Sequence, residues 1–146
     1  SMDYGIRMYD TGTVDIQKNT FGTLFNHSIS TKSNVRYAYV AGNTFNQCGR
    51  NCIEPGQEPN TTRYPNRTSD EIVITGNTFN NVIRTATVIL VKNVRKVTFT
   101  NNRLNNVQGR LINMYNFEPG KPWSSGGTVI GNGVPANRVV INSGNN

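Results

Sequence analysis

Apolar and polar residues alternate with period two in four short segments, 14–21, 38–45, 72–79 and 97–104, and all four contain an asparagine at the same place. Apolar residues stand five and three positions before this asparagine, and another stands two after it. Alternation of this kind is the period of a half-buried strand. The anchors are Asn19, Asn43, Asn77 and Asn102, spaced by 24, 34 and 25 residues. The long interval holds about ten extra residues, and its stretch 54–68 is rich in Pro, Gly, Asn and Thr without periodicity, which predicts an inserted loop. A second loop is predicted near 116–127.

The register runs past the anchors. Five residues after them come Leu24, Cys48, Val82 and Val107; ten after them come Ile29, Ile53, Thr87 and Ile112, which predict a second short strand in each repeat. Segment 6–9 supplies such a strand before the first anchor, and segments 128–130 and 138–141 form a last, less regular coil. A repeat of about 24 residues with short strands and no helix fits a solenoid, in which equivalent strands stack in parallel about 4.8 Å apart. Leucine-rich repeats need a recurring Leu pattern that is missing here, and propeller blades are longer.

Composition agrees. Only 35% of residues are hydrophobic and 16% charged, while Asn occurs 23 times, Thr 16 and Gly 14; an average protein has about 25% charged residues. In a solenoid, stacked Asn amides present a donor and an acceptor to the coils above and below. The anchors are therefore expected to be structural, with Asn46, Asn80 and Asn105 forming a second column three residues later. Phe21, Phe45, Phe79 and Leu104 should stack inside. No apolar run reaches the length of a membrane span. Ser1 and Met2 read as a tag remnant, and residues 3–146 as one domain, a fragment of a longer protein.

The net charge is +7, with ten Arg among 15 basic residues. Basic proteins often bind polyanions, but no run of four basic residues occurs, which argues against nucleic acid and leaves an ordinary basic surface or an acidic glycan. Segment 72–117 holds six basic residues and no acid. Asp70 is expected between Arg36 and Arg95, and Glu71 beside Lys96, as a surface ladder between coils.

Gly-Asn-Thr-Phe at 42–45 and 76–79 and Thr-Asn-Asn-Arg-Leu at 100–104 resemble the coils of right-handed parallel β-helices of the pectin-lyase-like superfamily, over residues 4–107. The resemblance implies an all-β, right-handed parallel β-helix of about five coils. It also implies a secreted, cell-surface or virion protein acting on or binding a poly- or oligosaccharide. The polygalacturonase set Asn-Thr-Asp, Asp-Asp and Gly-His-Gly is missing, as is the epimerase Asp-Pro-His-Asp. Coils after a Pro-rich loop are similar to the C-terminal half of bacterial galactosidase-type hydrolases. The resemblance thus implies part of a glycoside hydrolase, with a polysaccharide lyase as runner-up. The alternative is a non-catalytic structural or glycan-binding module of a tailspike or surface protein.

Glycoside hydrolysis generally uses two carboxyl groups about 5–9.5 Å apart. Glu54 is the candidate acid, with Asp10 or Glu58 as partner; the alternative is that all three are solvated loop acids. His27, the one histidine, falls in a column with Asn51, Thr85 and Arg110 and is expected to face outward, as a surface residue or a sugar contact. It lacks neighbours at metal-ligand spacing, so no metal or cofactor is expected. Arg50, Arg63 and Tyr64 could contact sugar rings and carboxylates, as could Trp123, which could equally cover an open end of the core. Cys48 and Cys52 are expected inside, Cys52 in a column with Ser28, Ala86 and Leu111, as two thiols or as a short-loop disulfide. The open ends call for upstream coils or a second copy to cover them.

Overall fold

Each alternating segment becomes a strand because its odd positions are apolar and find the same positions of the next coil to pack on. The computed structural model describes residues 4–9, 11–23, 26–32, 35–56, 69–92, 94–115, 129–131 and 134–142. The strands are β1 (Tyr4–Tyr9), β2 (Thr13–Gln17), β3 (Thr20–Phe21), β4 (His27–Lys32), β5 (Tyr37–Ala41), β6 (Thr44–Asn46), β7 (Asn51–Gly56) and β8 (Ser69–Thr75). They continue as β9 (Thr78–Asn80), β10 (Thr87–Lys92), β11 (Val94–Thr100), β12 (Arg103–Asn105), β13 (Arg110–Tyr115), β14 (Val129–Ile130) and β15 (Val139–Asn142). They form three parallel sheets around one core: β1-β4-β7-β10-β13-β15, β2-β5-β8-β11-β14 and β3-β6-β9-β12. The chain is an all-β parallel solenoid of about four turns, consistent with a parallel β-helix. The only helical element among the described residues is a 3-10 turn, Ala136–Arg138, whose Arg138 guanidinium bonds the carbonyls of Val107 and Gly109.

The anchor asparagines build the corner between the second and third sheets. The residue before each, Lys18, Gly42, Gly76 or Asn101, has φ of 55–64°. Gly reaches this left-handed region without strain, and Asn reaches it more readily than most residues. The backbone N–H and side-chain Nδ2 of Asn19 both donate to Asn43 Oδ1, those of Asn43 to Asn77 Oδ1, and those of Asn77 to Asn102 Oδ1, at 2.9–3.2 Å. Nδ2 also donates to a carbonyl of the preceding coil, Ile16 from Asn43, Val40 from Asn77 and Ile74 from Asn102. The second column forms too: Asn105 donates to Asn80, and Asn80 to Asn46. Inside, Phe21, Phe45 and Phe79 stack at centroid distances of 4.9 and 4.8 Å, with Leu104 next in register.

Two expectations change. In the first sheet Ile29, Ile53, Ile89 and Ile112 align, so Ile89 rather than Thr87 fills that column. His27 accordingly aligns with Asn51, Thr87 and Arg110 rather than with Thr85, and Cys52 with Val88 rather than Ala86. The cause is a tight turn closed by the Ala86 N–H to Ile83 carbonyl bond, which places two additional residues, Arg84 and Thr85, in that coil alone. Glu54, Pro55 and Gly56 belong to β7 rather than to a loop, and residues 57–68 lie outside the described residues. Cys48 and Cys52 are both fully buried and joined as a disulfide. Arg36 and Arg95 flank Asp70, at 2.7 and 3.8 Å, and Lys96 lies 3.0 Å from Glu71, all on the surface.

Candidate functional site

The first sheet turns its isoleucine column inward, and Ser30, Glu54 and Lys92 alternate with it onto the opposite face. There Glu54, a carboxylate in the middle of β7, is buried, at 2% exposed. Such a group is costly to bury unless it is paired. His27 Nε2, from β4, lies 2.6 Å from Glu54 Oε2, and Lys92 Nζ, from β10, reaches Glu54 Oε1. On the other side of the ring, Asn51 Nδ2 stands 3.2 Å from His27 Nδ1. With the amide so placed, Nδ1 accepts and Nε2 carries the proton donated to Glu54.

Gly56 makes the Lys92 contact possible. Its φ is +111°, and a Cβ at this position would come within 1.7 Å of the Lys92 carbonyl oxygen. Only glycine lets β10 close onto the end of β7, which brings the Lys92 ammonium to Glu54.

Burial pushes the Glu54 carboxyl upward, but the hydrogen bonds from His27 and Lys92 and the charge of Lys92 outweigh it and hold the group far below the usual carboxylate range. Glu54 is therefore ionised at neutral pH, the form that accepts hydrogen bonds from both partners. His27 is not the exposed surface residue anticipated, since it is 4% exposed and both ring nitrogens are engaged. Ser30, aligned with Glu54, is fully buried, and its hydroxyl has no hydrogen-bond partner among the described residues. Ser30, His27 and Glu54 are the residue types of a nucleophilic triad, but Glu54 and Asn51 occupy the two imidazole nitrogens, so none is left to activate the hydroxyl.

The cluster is continuous with an aromatic platform on β1. The Tyr4 ring lies 5.3 Å from that of His27, and the Arg7 guanidinium sits 4.4 Å from the Tyr4 ring and 4.9 Å from the Tyr9 ring. Arg7 is exposed and both tyrosines are half-buried. Of the residues singled out from the sequence, the structure brings Glu54 and His27 together and leaves Arg50 exposed at the adjoining corner. Asp10, Glu58, Arg63, Tyr64 and Trp123 lie outside the described residues. No group of three or more metal-ligating side chains occurs among the described residues. Lys92, Asn51, Tyr4 and Arg7 were not anticipated at the site; the corrected register would have placed Lys92, because it aligns with Gly56 two residues past Glu54. No family model, curated protein or solved structure matches the chain, so the parallel solenoid architecture itself is the level at which it can be classed.

Proposed function

We propose that this solenoid is a glycan-binding module whose sugar-contacting surface is the outer face of the first sheet. The observation that carries the reading is the Tyr4–Arg7–Tyr9 stack, an exposed guanidinium between two tyrosine rings beside a rigid polar cluster. Tyrosine rings offer flat apolar faces with a polar tip, and a guanidinium fork hydrogen-bonds hydroxyl or carboxylate oxygens. The likeness of the coils to the pectin-lyase-like superfamily, in which most proteins act on or bind carbohydrate, raises the same reading by analogy.

In this reading the His27–Glu54–Lys92 cluster is a positioning element. It fixes β4, β7 and β10 under the platform and has no part in bond cleavage. Glycoside hydrolysis is the competing reading, favoured by the one observation of a buried, ionised carboxylate on this face. The two are separated by a glycan array run beside a reducing-sugar release assay. Binding without release, weakened by Arg7→Ala and Tyr9→Ala, supports the module. Release of reducing sugar that disappears in Glu54→Gln would replace it with the hydrolase.

A further inference from the structure

The corner between the third and first sheets carries a feature that the platform does not use. Here the chain after each anchor turns toward the first sheet, and Gln47, Asn81, Asn106 and Gln108 come from three successive coils to line a groove with Val82 and Ile83. The groove has a volume of about 250 Å³. The four amide side chains are exposed. Ile83 is one of two large hydrophobic residues exposed among the described residues, at 41%.

Three arginines border this corner. Arg50 precedes β7, and its carbonyl accepts from the Thr87 N–H at the start of β10; Arg110 begins β13, in register with Thr87. Arg84 occupies the tight turn between them. The three belong to successive coils, so they span two coil steps, roughly 10 Å. All three are exposed, and none has a side-chain hydrogen bond or ion pair among the described residues. Of the other basic residues of segment 72–117, Lys92 pairs with Glu54, Arg95 with Asp70 and Lys96 with Glu71, while Arg103, on β12, has no ion pair among the described residues. The ion pairs of Glu54, Asp70 and Glu71 all lie elsewhere, and no described acid pairs with Arg50, Arg84 or Arg110, so this corner is cationic.

The turn adds a second argument. The two residues that break the repeat, Arg84 and Thr85, contribute nothing to the column they displace, since β10 regains register through Ile89. They do follow directly on Ile83, which lines the groove, so Arg84 is its neighbour in the chain.

The geometry points to an anionic saccharide as the ligand of this corner, with amides of Gln47, Asn81, Asn106 and Gln108 bonding hydroxyls, Ile83 against a sugar face and Arg50, Arg84 and Arg110 holding carboxylate or sulfate groups. Bidentate guanidinium contacts suit planar carboxylates and sulfates, and a concave site with a few convergent polar groups suits a small ligand. The inference rests on the glycan-binding reading and names the ligand class.

The test is titration calorimetry of the full chain with oligogalacturonate hexamers, heparin-derived hexasaccharides, a neutral maltohexaose and a single-stranded oligonucleotide of matched charge. At least one anionic saccharide should bind, more weakly as salt rises, and the triple variant Arg50→Ala, Arg84→Ala, Arg110→Ala should lose at least tenfold in affinity. All three sites are exposed, and an unchanged circular dichroism spectrum shows that the variant is folded. The inference is overturned if neither anionic saccharide binds, if the triple variant binds like the parent, or if the oligonucleotide binds as tightly with the same loss. Failure of the platform reads out separately, as neutral-sugar binding that is absent or indifferent to Arg7→Ala and Tyr9→Ala.

Discussion

Asn77→Ala tests whether the amide ladder holds the coils together. Asn77 is 1% exposed and stands in the middle of the ladder. The truncation removes the Nδ2 bond to the Val40 carbonyl at 2.9 Å and the longer ones to Thr75 and Asn102. It also removes the Oδ1 acceptor of the Asn43 N–H, at 2.9 Å, and of Asn43 Nδ2, at 3.0 Å. Three of these bonds have good geometry, and each is worth about 1 kcal/mol net. The Asn43 N–H is then left buried without a partner, which costs about 1–3 kcal/mol more. The sum is about 4–6 kcal/mol, a large part of the stability of a domain this size. Asn19→Ala is the control: Asn19 is exposed, donates through Nδ2 to Gln17 and Asn43, and should cost about 1 kcal/mol or less. Urea unfolding followed by far-ultraviolet circular dichroism reads both. With a slope of about 2 kcal/mol per molar, Asn77→Ala should lower the midpoint by about 2 M or more and Asn19→Ala by at most about 0.5 M. Equal losses at the two positions would refute the ladder argument, because an end rung and a middle rung would then carry the same load.

Lys18→Gly should raise stability by about 1 kcal/mol in the same assay, because Lys18 holds a φ of 56° that glycine adopts without a Cβ penalty. Gly56→Ala should be strongly destabilising, since a Cβ there would strike the Lys92 carbonyl at 1.7 Å, and limited proteolysis should show β7 and β10 opening first. The Glu54 carboxyl is depressed in the folded chain, so it contributes stability above the ordinary carboxylate pKa of 4.5, and that contribution is lost as pH falls below it. Melting temperatures measured from pH 7 to pH 3 should fall more steeply for the parent than for Glu54→Gln, and parallel curves would count against the pairing. Replacing Cys48 and Cys52 together by Ala should cost about 2 kcal/mol by the loop-closure argument for so short a loop; no change in the urea midpoint would show that the disulfide is dispensable.

The sequence alone determined the architecture, because a solenoid repeats its physics. Any side chain in a stacked column meets the same side chain one coil away, so Asn43, Phe45 and their equivalents announce both strand position and register. For the same reason the Arg36–Asp70–Arg95 ladder could be read directly from columns. What broke the periodicity was not legible. The turn at Arg84 and Thr85 carries no apolar marker, so counting forward from Asn77 placed Thr87 where Ile89 stands. That slip of two residues hid the approach of Lys92 to Glu54 and with it the charge state of the carboxylate. Glu54 was legible as an unusual residue, but its ionisation depends on a cation from one neighbouring strand and a histidine from another. Columns are local and repeated, so sequence encodes them several times over. The polar cluster occurs once and joins three strands, β4, β7 and β10, from separate parts of the chain, so only the folded structure decides its chemistry.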